Sequence, residues 1–185
     1  MKPNTRPHIM KSAILLSFSL ILMLGCSKQK TQITQAGITF CSEGSPASFN
    51  PQLDTSSTTA DASSHQIYDR LLEFNTENGE IEPGSASSWL VSNDGLTYTF
   101  QLRKGVQFHD TDYFTPTRNF NADDVVFSID RWRVATHPYH DVSGGSYPYF
   151  QSLGLKNTIK DVNRINGYRV ETSLYTTDLS ITQIG

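Results

Sequence analysis

Apolar and polar residues alternate most clearly near the middle of the chain. Leu96, Tyr98, Phe100 and Leu102 fall on one face, and Thr97, Thr99, Gln101 and Arg103 on the other. A period of two predicts a strand with one face buried. Just ahead of it, Asn93-Asp94-Gly95 supplies residues that tolerate positive φ, the usual connection of a hairpin. Lys104-Gly105 turns the chain again, into Val106–Asp110. At Asn121 the period changes. Val125, Val126, Ile129 and Trp132 form a stripe at helical spacing, which predicts a helix over 122–134. Asn121 is a good N-cap, Asp123 and Asp124 suit the positive end of the helix dipole, and Pro138 lies beyond the far end. Asn166-Gly167 predicts a second hairpin, with Tyr168, Val170, Thr172 and Leu174 alternating behind it. Nearer the start, residues 37–44 alternate and predict a strand, and residues 45–59 read as loop. Ile67 with Leu71, and Tyr68 with Leu72, predict a helix over 59–72. Turns are expected at Asn78-Gly79 and Pro83-Gly84, and a Gly- and Tyr-rich loop over 141–154. With no series of βαβ units and no dinucleotide fingerprint, the fold class is α+β.

The first residues follow a different logic. Lys2, Arg6 and Lys11 precede an almost wholly apolar run, Ser12 to Leu24, with no acid among them. The run is shorter than the roughly 20 apolar residues that span a bilayer. A basic segment before an apolar one of this length is the pattern of a secretory signal. It ends at Gly25-Cys26, which resembles a bacterial lipoprotein signal cut before an acylated cysteine. Residues 1–25 are therefore expected to be a signal peptide, Cys26 a lipidation site and residues 26–36 a polar tether. This implies export to the periplasm of a Gram-negative cell, with acyl chains holding the chain to a membrane. Ser27 after the cysteine implies sorting to the outer membrane.

Composition sharpens this only slightly. About 160 residues remain after the signal, enough for one ordinary domain. A net charge of −3 with 18% charged residues does not fit nucleic-acid binding. The second cysteine, Cys41, is odd if Cys26 is acylated; either it is a buried thiol or its partner is missing. Catalytic patterns are sparse. His137 and His140 flank Pro138, which breaks any helix that would align them as metal ligands. His109-Asp110 has no nucleophile motif with it, and Asp123-Asp124 is explained by helix capping. Cys41 has no basic neighbour to lower its pKa. Neither an enzyme nor a bound metal or cofactor is expected.

What does stand out is the order of Trp89, Ser92, Asp94-Gly95, Tyr98-Thr99-Phe100, Leu102-Arg103 and Phe108-His109-Asp110. Ala122-Asp123-Asp124-Val125, Ser128 and Arg131 follow. This succession resembles the solute-binding component of peptide ABC transporters, the dipeptide- and oligopeptide-binding proteins of extracellular solute-binding family 5. The likeness runs from about Gly37 to Leu174. Residues 40–64 look like the dipeptide branch. Residues 111–127 and 146–157 look more like the Sap branch, named for sensitivity to antimicrobial peptides, which is the preferred expectation.

The resemblance implies a periplasmic binding protein type II fold of two ligand lobes plus the extra domain of the peptide-binding class. Residues 37–68 would be the first segment of the ligand lobe and residues 69–185 an incomplete scaffold domain. Thr55, Ser56 and Ser57 match the loop that lines the peptide pocket in the dipeptide branch; the family often has Gly where Ser57 stands. The implied function is capture of peptides outside the inner membrane and delivery to permease and ATPase subunits. The resemblance also places the second lobe, and the disulfide partner of Cys41, outside this sequence, so the chain is expected to be an N-terminal fragment with little affinity of its own. Haem or another non-peptide solute is the alternative ligand, and a structural surface lipoprotein the alternative of another class.

Overall fold

The structure is a computed structural model that describes Thr39 and residues 41–177. The expected signal, Cys26, the tether and the last residues, 178–185, lie outside the described residues. Its centre is a four-stranded antiparallel sheet. The strands are β3 (Ala86–Val91), β4 (Thr97–Leu102), β5 (Ile159–Asn166) and β6 (Arg169–Leu174), in the order β3-β4-β6-β5. A small hairpin of β1 (Leu72–Phe74) and β2 (Ile81–Pro83) precedes it.

The alternation in the sequence sets the sheet. Tyr98, Phe100 and Leu102 point inward from β4, and Val170, Thr172 and Leu174 do so from β6. Phe100 sits opposite Trp89 on one side and Val170 on the other. Because side chains alternate strictly, this register puts both apolar sets on the same face. Both expected hairpins are present. Gly95 adopts φ +71°, the left-handed conformation that the turn between β3 and β4 requires.

That inner face is covered by α2 (Ala122–Arg133). Ala122, Val125, Ile129 and Trp132 are buried, while Val126 of the expected stripe is only half-buried. Asn121 Oδ1 accepts from the Asp123 N–H at 2.8 Å, and Asp124 accepts from the Asn121 N–H at 2.9 Å, a reciprocal cap. Arg118 donates to both oxygens of Asp124 at 2.7 Å, locking the entry to the helix. The Ala122 N–H donates to the Gly167 carbonyl at 3.0 Å, so the β5–β6 turn fixes the helix start over the sheet.

Three expectations are corrected. The helix over 59–72 is much shorter: α1 (Ser57–Thr59) passes into a single wide turn, Ala60–Ser64, and the chain is irregular from Tyr68 to Leu71 before entering β1. Ser63 and Ser64 turn their hydroxyls back onto the Thr59 and Ala60 carbonyls, a bonding pattern that competes with regular helix. Leu71 is buried from the irregular segment and Leu72 from the first position of β1 instead; the Leu71 carbonyl accepts from Gly84 and Ala86. Ile67 and Tyr68, the other half of the supposed stripe, are exposed.

Second, of the strand expected over 37–44, residues 37, 38 and 40 lie outside the described residues, and no strand forms at Cys41–Gly44. An alternating pattern becomes a strand only beside a hydrogen-bonding neighbour, and no strand among the described residues pairs with it. Third, the 141–154 loop contains α3 (Pro148–Ser152), with α4 (Leu155–Thr158) directly after it. Pro148 occupies the start of α3, where a missing N–H costs nothing. Phe150 from α3 stacks on Trp132, with ring centroids 4.2 Å apart and planes 11° from parallel.

Candidate functional site

The loop that carries Thr55, Ser56 and Ser57 is organised by Asp54. One carboxylate oxygen accepts the Ser56 N–H at 2.6 Å, and the other accepts the Thr59 hydroxyl at 3.1 Å. Thr59, fully buried, in turn accepts the Ala47 N–H at 3.2 Å. The hydrogen bond from the Ser56 N–H, the Ser56 hydroxyl and Thr59 together outweigh the little burial Asp54 has, and they hold its carboxyl below the usual range.

The three expected ligand residues separate. Ser56 is the N-cap of α1, its Oγ accepting from the Thr59 N–H at 3.4 Å. Ser57 is exposed and donates to Glu43 at 3.1 Å. Thr55 is exposed and faces a small hollow of about 170 Å³, shared with Asp54, Arg70, Tyr149 and Phe150. Of the three, Thr55 lines this hollow, and Ser56 and Ser57 do not.

A larger groove, about 390 Å³, lies alongside, between α2, the irregular segment 68–71 and residues 50–52. Asn50, Gln52, Asp69, Arg70, Asp124 and Arg131 are among its polar lining. Arg131 Nη2 donates to Gln52 Oε1 at 2.7 Å, and the guanidinium carbon lies 5.6 Å from the Tyr147 ring centre. In the sequence, Arg131 is legible only as part of the family pattern, and no motif marks Arg70. The clue was available for Arg131, which sits one turn after Ser128 at the rim of an apolar stripe.

The two histidines that flank Pro138 are committed to backbone. His140 Nδ1 donates to the Arg131 carbonyl at 2.7 Å, and His137 Nδ1 accepts the Tyr139 N–H at 3.2 Å. Among the described residues, no three His, Cys, Asp or Glu side chains gather as a metal-binding group. Cys41 is exposed and unpaired among the described residues.

Asp54 carries a prediction. A carboxyl lowered on folding stabilises the loop fully above its unfolded value, about pH 4, and loses that contribution as pH falls through the lower folded value. The Ser56 amide resonance is therefore expected to titrate with a midpoint below about pH 4, and the titration is expected to vanish in Asp54→Asn. A midpoint above that range would contradict the arrangement.

Residues 80–181, more than half of the chain, match the family described as bacterial extracellular solute-binding proteins, family 5, middle part. The chain belongs to that family. The dipeptide-binding protein of Escherichia coli is 50% identical over 90% of this chain. Heme-binding protein A of Haemophilus influenzae is 48% identical over 75%. The Sap expectation has weaker support: the SapA peptide transport protein of Salmonella typhimurium is 40% identical over 80% of this chain. The chain spans only 25–30% of the length of these relatives. Among solved structures, a Pseudoalteromonas dipeptide-binding protein in complex with Met-Leu superposes with a TM-score of 0.74 at 43% identity. That match covers 77% of this chain and 28% of the other. The α+β class and the solute-binding protein fold expected from sequence are thus established.

Proposed function

We propose that these residues belong to the substrate-binding component of a peptide ABC transporter. It captures peptides outside the inner membrane and delivers them to the permease, whose ATPase partners supply the energy. It carries out no chemistry itself. The observation that carries this reading is the 50% identity to a dipeptide-binding protein together with the likeness to a structure holding Met-Leu. Within it, residues 37–68 are the first segment of the ligand lobe and residues 69–185 scaffold. Thr55, exposed beside a hollow, is the residue of its loop best placed to meet ligand, with Ser57 next to it. Cys26 anchors the protein to the membrane, and Cys41 awaits a cysteine outside this sequence.

The second reading is a haem carrier, favoured by the 48% identity to Heme-binding protein A. The native gene product distinguishes them. Calorimetric titration with di- and tripeptides is expected to give micromolar dissociation constants. A shifted haem absorption band on adding haem, with no peptide heat, would replace the peptide reading by the haem one.

A further inference from the structure

The groove beside α2 has an unusual balance of charge. Three arginines of the described chain are neutralised by aspartates: Arg118 by Asp124, Arg133 by Asp130 and Asp161, and Arg164 by Asp123. Arg131 and Arg70, which both line the groove, have no ion pair among the described residues. Of the two acids on its wall, Asp124 is taken by Arg118 and Asp69 is exposed. The lining therefore keeps one positive charge in excess.

Arg131 has a second irregularity. Its Nε–H is buried and is the one buried side-chain nitrogen or oxygen among the described residues without a hydrogen-bond partner. Such groups are few in native proteins and call for an explanation. Nε and Nη2 share one edge of a guanidinium, the fork that grips a carboxylate with two parallel bonds. Here Gln52 Oε1 fills the Nη2 half at 2.7 Å and nothing fills the other. Pro51, Leu71, Val125 and Ile129 supply apolar walls beside the arginines.

We propose that this groove binds a small organic monocarboxylate, gripped by the Nε/Nη2 edge of Arg131 after Gln52 yields, with Arg70 as the second cation. The volume, about 390 Å³, is that of a small-ligand pocket. A single excess charge suits a monoanion, and Asp69 disfavours a dianion such as phosphate. None of Thr55, Ser56 and Ser57 lines the groove, although it adjoins the hollow beside Thr55 and shares Gln52 and Arg70 with it; the proposal is carried by Arg131, which lines the groove and not the hollow, and does not rest on the peptide reading.

The test is a titration of the ¹⁵N-labelled full chain with N-acetylglycine, following the Arg131 Nε–H resonance. N-acetylglycinamide is the neutral control, and an end-blocked Ala-Glu-Ala peptide presents the same group on a side chain. N-acetylglycine is expected to shift the resonance saturably and the amide to leave it unmoved. Arg70→Gln is expected to weaken binding at least tenfold, and Gln52→Ala to strengthen it by removing the competing acceptor. Saturation by the blocked peptide alone would keep the carboxylate chemistry and assign its source to an acidic side chain. No saturable shift with either probe would overturn the proposal, as would undiminished N-acetylglycine binding in Arg131→Gln. The amides of Phe100 and Val170 report whether each variant retains the sheet.

Discussion

Trp132→Ala is expected to lower stability by about 3–5 kcal/mol, the usual cost of deleting a large buried aromatic. Trp132 is 4% exposed and is the last inward residue of α2. It stacks on Phe150, so its loss also strips one face of α3. For a domain whose whole stability is about 5–15 kcal/mol, this is a large share. Urea unfolding followed by circular dichroism measures it, as a lower midpoint at an unchanged slope. Trp132→Phe should recover much of the loss by retaining a ring on Phe150. In a double-mutant cycle with Phe150→Ala, the coupling between the rings should reach about 0.5–1.5 kcal/mol, the range for a stacked pair. A loss below about 1 kcal/mol, typical of a surface position, would mean that α2 is not anchored through Trp132. Arg131 precedes it on the helix, so loosening this last turn should also broaden the Arg131 Nε–H signal.

What was legible in the sequence divides along a physical line. The two hairpins and α2 could be read because their signals are local: strict alternation, turn residues that accept positive φ, and a cap three residues ahead of its partner acid. In each, local preference and tertiary burial point the same way. Residues 59–72 mislead because Leu71 and Leu72 are buried from non-helical backbone whose partners, Gly84 and Ala86, lie more than ten residues on. An i, i+4 pattern cannot reveal that the burial is supplied by a neighbouring strand. α3 was hidden because a single short turn of helix has no period to detect; only Pro148 hinted at a start. The site was less legible than the fold. Thr55, Ser56 and Ser57 came from a family likeness, and the structure assigns Ser56 to capping. The groove depends on Gln52 and Arg131, 79 residues apart, and no spacing in the sequence brings those together.

Gly84→Ala tests the seam that builds the groove. A Cβ at Gly84 would lie 2.5 Å from the Arg70 carbonyl oxygen and 3.1 Å from that of Leu71. Glycine is needed here for close approach, since its φ is not in the left-handed region. The obstructing atoms are backbone, and they are held. The Arg70 carbonyl accepts the Ser85 N–H at 2.7 Å, and the Leu71 carbonyl accepts from Gly84 at 3.2 Å and Ala86 at 3.0 Å. Room for one methyl can come only from lengthening these three bonds, so the substitution is expected to cost about 1–3 kcal/mol, the range for overpacking. Gly79→Ala is the control. That site is open but has φ +75°, so its cost is the separate one of left-handed backbone, about 1–2 kcal/mol. The two differ in kind as well as in place. Gly84→Ala should shift the amide resonances of Arg70, Leu71 and Ser85, and displace Arg70 from the groove. Gly79→Ala should leave those resonances where they are. Wild-type stability in Gly84→Ala, with the Arg70 amide unmoved, would show that the seam between residues 70–71 and 84–86 is not closed as the structure has it. The groove would then lose one of its walls.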